Sequence, residues 1–263
     1  FNGPATNIAS SPADIVKYAS KLGIKTSDIP KPKGIHYQHL VDSGYITIAR
    51  DKLKMVLDVA RLGPDYLLAH AHADNLAFEM AIAGQRIFVN SGTSCYGSSK
   101  RRNFERSTRA HNSVEVNGCS SSEVWSSFRV ARRAYPVGLS VNETCKNLSI
   151  QCSHTGYKRL AGSPMHSRQW QIHEDKISIK DNVSGEFGCA ISRLILHADV
   201  TIRKVDDQTF ILLAPNNIAL TLRVLSGTAR VVEWQHTTVF GFLTDTNCIE
   251  IDLVDGECSM EII

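Results

Sequence analysis

The chain has 263 residues, of which 43% are hydrophobic and 21% are charged, with a formal net charge of +3. These are ordinary values for a globular protein, so they exclude wholesale disorder and a fibrous architecture. The length lies at the upper end for one domain, although a large β-sandwich can form a single unit of this size. Basic residues cluster at Lys100–Arg109, Arg129, Arg132 and Arg133. A solvated basic face and an anion site explain that cluster equally well.

The first segment of the chain predicts a junction rather than a domain. Residues 1–11 are small and polar, which is typical of a linker or the tail of a preceding domain, and because Phe1 is not a methionine we expect a piece of a longer protein. A helix is predicted from its N-cap at Ser11 to a stop at Gly23. Lys25–Lys33 contains two prolines and predicts an extended connection.

From Tyr45 onward, apolar and polar residues alternate in short runs separated by turns that contain Gly, Asp or Asn. One such turn is Asn117-Gly118, where both residues tolerate a positive φ. The predicted strands are Tyr45–Arg50, Leu53–Asp58, Leu76–Ile82, Arg86–Val89, Asn112–Val116, Leu148–Cys152, Ser167–His173, Lys176–Asp181, Ala190–Leu196, Thr201–Val205, Thr209–Leu213, Ile218–Val224, Ala229–Glu233, Val239–Leu243, Ile249–Leu253 and Cys258–Ile262. The fold class is therefore all-β: a large antiparallel β-sandwich over residues 41–263, preceded by a short helical junction over residues 1–40.

Cysteine usage and hydropathy restrict the class of protein further. The seven cysteines have no regular spacing, so free and mostly buried thiols are expected, with one or two disulfides as the alternative. No apolar run approaches the roughly 20 residues that cross a bilayer, so we expect no membrane span.

Three histidines and one asparagine form the candidate metal site. His70 and His72 are two residues apart, so their side chains can converge as two metal ligands, or as one ligand and one acid–base group. His111 is a third candidate, and Asn90 ends an apolar strand at a turn. Two histidines with a carboxylate would indicate zinc, whereas an amide is a weaker donor. The alternative is that His72 and His111 are hydrogen-bonded interior histidines.

Three other polar residues have weaker signals. Asp74 follows the histidine pair and could orient an imidazole or cap the next element. Glu79 alternates with apolar neighbours, which favours a structural role. Tyr96 lies in a turn of small residues near the basic cluster, where its phenol could reach a ligand.

Four sequence blocks carry a family resemblance. They are His-x-His-Ala-Asp-x-Leu-x-Phe-Glu, Val-Asn-Ser-Gly-Thr, Arg-Ser-Thr-x-Ala-His-Asn and Ser-Glu-x-Trp-x-x-Phe-Arg-Val-x-Arg-Arg-Ala. Across His70–Ala134, and more loosely at Asp42–Tyr45 and over the later strands, the chain resembles the heparinase II/III-like polysaccharide lyases. The resemblance implies that this chain is the C-terminal β-sandwich and that an N-terminal α/α toroid, absent here, forms the other side of the substrate cleft.

The resemblance also implies a metal, usually zinc, held by His72, Asn90 and His111. Asn90 departs from the family pattern, which has an aspartate at this position. Replacing an anionic ligand by an amide weakens the attraction to a dication, so we expect zinc to be weakly bound or absent.

For chemistry, the resemblance implies β-elimination on a uronic acid. His70 and Tyr96 are the implied catalytic residues of this half, while Arg101, Arg106 and Arg109 would attract an acidic polysaccharide. The base and acid come largely from the toroid in the family, so the expected enzyme is a carbon–oxygen lyase that is inactive or weak without its N-terminal domain.

Other functions compete with that of a lyase. A non-catalytic glycan-binding or structural sandwich with a degenerate metal site is the main alternative, and Asn90 is its best argument. A cupin-type metal oxygenase is disfavoured because the spacing from His72 to Glu79 is too long. No nucleic-acid-binding motif accompanies the basic residues, so no nucleic-acid partner is expected. The resemblance implies a periplasmic or secreted bacterial protein, with the cytoplasm and a role in surface-polysaccharide assembly as alternatives.

Overall fold

The computed structural model describes residues 10–25, 34–144 and 146–263. Within them it contains two α-helices and a large set of β-strands. The helices are α1 (Pro12–Lys21) and α2 (Lys100–Arg106). The strands are β1 (Ile35–Leu40), β2 (Tyr45–Arg50), β3 (Leu53–Asp58), β4 (Phe78–Ile82), β5 (Gln85–Phe88), β6 (Val114–Val116), β7 (Val124–Trp125), β8 (Arg129–Val130), β9 (Pro136–Glu143), β10 (Leu148–His154), β11 (Met165–Ile172), β12 (Ile177–Ser184), β13 (Ala190–Ile195), β14 (Thr201–Lys204), β15 (Thr209–Ala214), β16 (Ile218–Ser226), β17 (Thr228–Val239), β18 (Phe242–Asp252) and β19 (Glu257–Ile262).

The strands form three main sheets and one small hairpin. A five-stranded sheet has the order β1-β2-β3-β4-β5, an eight-stranded sheet has the order β14-β15-β16-β19-β12-β11-β10-β9, and a four-stranded sheet has the order β17-β18-β13-β6. Strands β7 and β8 pair with each other. The paired strands run antiparallel. The predicted all-β sandwich with a short N-terminal helix is confirmed.

One hydrophobic cluster takes side chains from all three main sheets. Phe78 of β4, Trp170 of β11 and Ile249 of β18 are each fully buried in it. In β11 the burial alternates along the whole strand, since every second side chain points into the core. Burial of this shared apolar surface is the main favourable contribution to the stability of the sandwich.

Backbone geometry at two turns follows from the residue types. Asn117 (φ 53°) and Gly118 (φ 66°) both adopt positive φ, which confirms the predicted turn. Gly44 (φ 73°) allows the chain before β2 to lie close to Ala60, in the segment that follows β3. A Cβ at position 44 would lie 2.4 Å from the Ala60 Cα, so only glycine fits there. This close approach shapes one side of the candidate site.

The predicted N-terminal helix is confirmed as α1. The Ser11 hydroxyl accepts a hydrogen bond from the Asp14 backbone N–H at 3.1 Å, and the Asp14 carboxylate accepts one from the Ser11 N–H. The apolar side chains of α1 are not buried by the described residues. The predicted linker over residues 1–11 and the predicted connection Lys25–Lys33 lie almost entirely outside the described residues.

Six elements differ from the sequence-based expectations. β1, β7, β8, β9 and α2 were not predicted, and the predicted strand Val239–Leu243 is wrong. β17 ends at Val239 and β18 begins at Phe242, so this apolar run crosses a hairpin turn in which Gly241 adopts a φ of 86°. β1 and β9 lie at a sheet edge and bury few side chains, which removes the alternation that reveals a strand.

The cysteines that the structure describes are free thiols. Cys152, Cys248 and Cys258 are buried, whereas Cys95, Cys119 and Cys189 are partly or fully exposed. Cys145 lies outside the described residues.

Candidate functional site

A pocket of about 420 Å³ lies where the loops of the five-stranded sheet meet helix α2. Its lining comes from the start of β2, from the loop between β3 and β4, from the segment that follows β5, and from α2 and the turn after it. The four sequence blocks that carry the family resemblance therefore fold towards one place, and three of them contribute side chains to the pocket.

Hydrogen bonds hold residues His70–Asp74, which we call the histidine loop, against the segment that leads to His111. The Ala73 backbone N–H donates to the Arg106 carbonyl at 2.8 Å, and the Thr108 hydroxyl donates to the Ala73 carbonyl at 2.6 Å. Because Ala73 lies between the second histidine and the aspartate of the motif, these bonds fix both side chains near His111.

His72 and His111 form a close pair in the pocket. Their ring centroids are 5.2 Å apart, and His111 is only 3% exposed. Neither ring nitrogen of His111 has a hydrogen-bond partner of good geometry among the described residues. Burial lowers the pKa of His111 to about 3, against an opposing effect of the Glu105 backbone. Burial, and then the positive charge of His111 and Arg102, hold the pKa of His72 well below its ordinary value.

A carboxylate completes this pair. The nitrogen and oxygen donor atoms of His72, Asp74 and His111 all lie within 4.8 Å of one another. Burial raises the pKa of Asp74 to about 7. The pKa of the neighbouring Asp58 is also well above its usual range, because of burial and then the charge of Asp74. Two imidazoles and one carboxylate are a donor set that zinc accepts, so these residues could hold a divalent metal ion.

Asn90, a predicted metal ligand, lines the pocket with its amide already hydrogen-bonded. Its Oδ1 accepts from the Asn112 backbone N–H at 3.2 Å, and its Nδ2 donates to Glu79 Oε1 at 3.3 Å. Glu79 in turn pairs with Arg86 at 2.6 Å, which is the structural role that its position in the sequence favours. Ligation of a metal by Asn90 stays a prediction.

His70 and Tyr96, the predicted catalytic pair, lie side by side at the mouth of the pocket. Their ring centroids are 5.3 Å apart in an edge-to-face arrangement, and Phe128 lies 5.6 Å from each ring. His70 is exposed and Tyr96 is half-buried, so both can be reached from solvent. The structure brings them together, while their catalytic role stays a prediction.

Arg101 and Arg109, two of the three predicted substrate-binding arginines, do not line this pocket. Arg101 donates to Glu105 at 2.8 Å and to Gln235 at 3.3 Å. Arg109 is exposed, with its guanidinium 5.7 Å from the ring centroid of Trp234. Any contact that these residues make with a glycan would lie outside the pocket.

Arg106, the third predicted arginine, is fully buried and binds backbone carbonyls. Its Nε donates to Ala71 at 3.0 Å, and its Nη1 donates to Trp125 and Ser126 at 3.3 and 3.2 Å. It therefore joins the histidine loop to the β7–β8 hairpin, and burial lowers its pKa to about 10.

Arg102 is the arginine of α2 that lines the pocket, and the sequence did not single it out. It is fully buried; its Nη1 lies 3.3 Å from His72 Nε2, and its Nε donates to the Ser127 carbonyl at 3.2 Å. Its Nη2 has no hydrogen-bond partner among the described residues. Only the rotation of α2 distinguishes Arg102 from Arg101, and this helix was not predicted.

The comparisons with known proteins identify the family and solved structures of similar fold. The family described as heparinase II/III-like, C-terminal, matches residues 32–256. No curated protein matches. Among solved structures, the heparan sulfate lyase HepC from Pedobacter heparinus has 15% identity and a TM-score of 0.73, with 95% of this chain and 41% of that chain covered. Another, titled heparinase III, has 15% identity and a TM-score of 0.74, with 98% and 42% covered.

These structural similarities support the fold, and the chain spans about two fifths of the length of those structures. No helix in the described part of the chain is long and apolar enough to cross a membrane. With the family match extending over most of its length, the chain belongs to the heparinase II/III-like family and corresponds to the C-terminal domain of that family.

Proposed function

We propose that this chain is the C-terminal part of a polysaccharide lyase that cleaves uronic-acid-containing acidic glycans by β-elimination. Family membership supports a lyase-related role, and the observation that carries the proposal is the pocket formed by His70, Tyr96 and Arg102. We further propose that an N-terminal toroid supplies the opposite side of the cleft, so that the isolated chain is inactive or weak.

The unpaired nitrogen of Arg102 suits an anionic substrate. A buried guanidinium N–H that makes no hydrogen bond costs free energy, because the donor has lost its bonds to water. A uronate carboxylate would satisfy this donor with a charge-assisted hydrogen bond. Neutralising that carboxylate makes the proton on C5 more acidic, because the charge that develops on proton removal spreads into the carboxyl group.

His70 and Tyr96 have the chemistry for the proton transfers of the reaction. In β-elimination a base removes the C5 proton, a double bond forms between C4 and C5, and the C4–O4 bond breaks as an acid protonates the departing oxygen. An imidazole and a phenol side by side can hold or move protons at that place. A divalent metal ion held by His72 and His111 would supply fixed positive charge to the same side of the pocket.

The first prediction concerns activity of the natural chain in which this sequence occurs. It would be incubated with a panel of uronate-containing glycans, and the absorbance of the unsaturated uronate would be followed. Acid–base catalysis by one side chain contributes about 100-fold or more, so His70→Ala should lower kcat by at least that factor. His173→Ala is the matched control, because His173 does not line the pocket and its side chain bonds only to the exposed Asn147 side chain among the described residues.

A full-length chain that cuts none of the glycans would contradict the lyase proposal. If this domain then bound an acidic glycan and Arg102→Gln abolished the binding, a non-catalytic glycan-binding sandwich would replace it. Asn90 is the observation that favours this second function, because it departs from the anionic residue of the family pattern.

A further inference from the structure

We propose that Asp74 is the carboxylate ligand of a zinc-type cation site that it forms with His72 and His111, and that Asn90 acts behind the site as a hydrogen-bonding link. The inference deepens the proposed function, because these residues line the same pocket, and rests on it only for the role of the metal in catalysis. Binding of the metal itself requires no glycan.

His111 supplies the first argument. An imidazole that is 3% exposed and has no hydrogen-bond partner of good geometry for either nitrogen among the described residues leaves polar atoms unsatisfied, at a cost of about 1–3 kcal/mol per group. Native proteins rarely keep such groups without a reason, and a metal ion would use one of the two nitrogens. His72, with its ring centroid 5.2 Å away, is placed to share that ion.

Asp74 supplies the second argument. Its carboxylate lies within 4.8 Å of the donor nitrogens of both histidines, and no lysine or arginine of the described segments forms an ion pair with it. Zinc–ligand distances of about 2.0–2.2 Å place ligand atoms roughly 3.4 Å apart in a tetrahedral site. Side-chain rotations that move each donor atom by about an ångström would therefore bring all three donors to bonding distance of one ion.

Asn90 supplies the third argument, because its amide is matched to its neighbours. The Nδ2 group donates to Glu79 Oε1, and the Oδ1 atom accepts from the Asn112 N–H. An aspartate at position 90 would place a second carboxylate against Glu79, and two carboxylates at that distance repel each other. Asn90 is thus better suited to link β4 to the segment after His111 by hydrogen bonds than to bind a metal ion.

The test uses zinc as the only probe. The chelator-treated protein would be titrated with Zn²⁺ by calorimetry, bound zinc would be counted after gel filtration, and circular dichroism would check the fold of every variant. We expect one zinc per chain, a loss of affinity of about 100-fold or more for Asp74→Asn, and less than about 10-fold for Asp58→Asn. Asp58→Asn is the matched control, since it removes a buried carboxylate from the same pocket outside the donor set.

The Asn90→Asp variant distinguishes a zinc site that uses Asp74 from one that uses residue 90, because only in the second case would the affinity for zinc rise. If Asp74 is the ligand, this variant does not raise the affinity for zinc and does not rescue Asp74→Asn. A rise in affinity for Asn90→Asp, together with normal binding by Asp74→Asn, would overturn the proposal, as would a wild-type protein that binds no zinc. Stoichiometric zinc in a protein that cuts no glycan would support the metal site while rejecting only the lyase function.

Discussion

The surroundings of two histidine pairs in the described part of the chain, His154 with His166 and His72 with His111, differ in one respect. In the eight-stranded sheet, His154 Nδ1 accepts from the Gly156 N–H at 3.1 Å, His154 Nε2 lies 3.2 Å from His166 Nδ1, and His166 Nε2 lies 2.8 Å from Asp181 Oδ1. These contacts permit one arrangement of protons, in which each imidazole donates to the next group towards Asp181. In the pocket, by contrast, both nitrogens of His111 lack such partners in the described segments.

Arg168 connects the satisfied network to the pocket. Its guanidinium binds both oxygens of Asp181, at 2.6 and 2.8 Å, and its Nη1 donates to the Leu76 and Asn112 carbonyls. Burial alone would raise the pKa of Asp181, but Arg168 and His166 lower it below its ordinary value. Leu76 has a positive φ of 60°, and Asn112 follows His111 in the chain. One guanidinium therefore fixes the two segments that carry the candidate metal ligands.

The comparison teaches how to separate buried structural histidines from buried ligands. Burial and lowered pKa occur in both pairs, since burial is the largest cause of the shift at His72, His111, His154 and His166. What differs is the number of hydrogen bonds that the nitrogens make. Satisfied nitrogens are expected of a structural pair, whereas unsatisfied ones require an explanation, of which a bound ligand is one.

The largest expected effect comes from breaking the satisfied network at Arg168. Arg168→Met leaves the Asp181 charge buried without its cation, so the free energy of unfolding should fall by about 3–5 kcal/mol. Urea denaturation measures it. The double variant Arg168→Met/Asp181→Leu should lose less than the sum of the two single variants, because the two groups interact directly. A loss below about 1 kcal/mol in Arg168→Met would mean that the network contributes little.

An intermediate change in the free energy of unfolding should distinguish the two histidine pairs. His166→Leu leaves a His154 donor unpaired and removes one hydrogen bond from Asp181, so we expect a loss of about 1–3 kcal/mol. His111→Leu loses no such bond and should remain within about 1 kcal/mol of the wild type when zinc is absent. Urea denaturation of the two metal-free variants makes this comparison, and equal losses would contradict the distinction.

The smallest expected effect per pH unit is that of His111 on the pH dependence of stability in metal-free protein. The unfolded chain protonates His111 near its ordinary pKa of about 6.5, whereas the folded chain does so only near pH 3. The unfolded state thus binds more protons in this window, and stability falls as the pH drops from 6.5 to 3, by at most about 1.4 kcal/mol per pH unit for each such histidine.

The His111→Leu variant binds one proton fewer on unfolding in this pH range. Its stability should therefore fall less steeply with decreasing pH than that of the wild type. Urea midpoints measured at several pH values between 4 and 7 test the change. An unchanged slope would mean that His111 is already protonated in the folded chain.

The sequence by itself determined what depends on local pattern. Alternation and turn residues predicted most central strands. The family resemblance implied that His70 and Tyr96 belong to one site, and the structure places their rings 5.3 Å apart. Edge strands β1 and β9 were missed because a strand that buries little carries no alternation.

Only the tertiary structure decided contacts between residues distant in sequence. Which arginine of α2 faces the pocket depends on how the helix is rotated against the histidine loop, and the hydrogen bonds of Asn90 depend on Glu79 and Asn112 in other segments. The proximity of Asp74 to His111 likewise results from backbone bonds between two loops. Local pattern encodes the direction of a side chain within one element, whereas a site is formed by the packing of several elements.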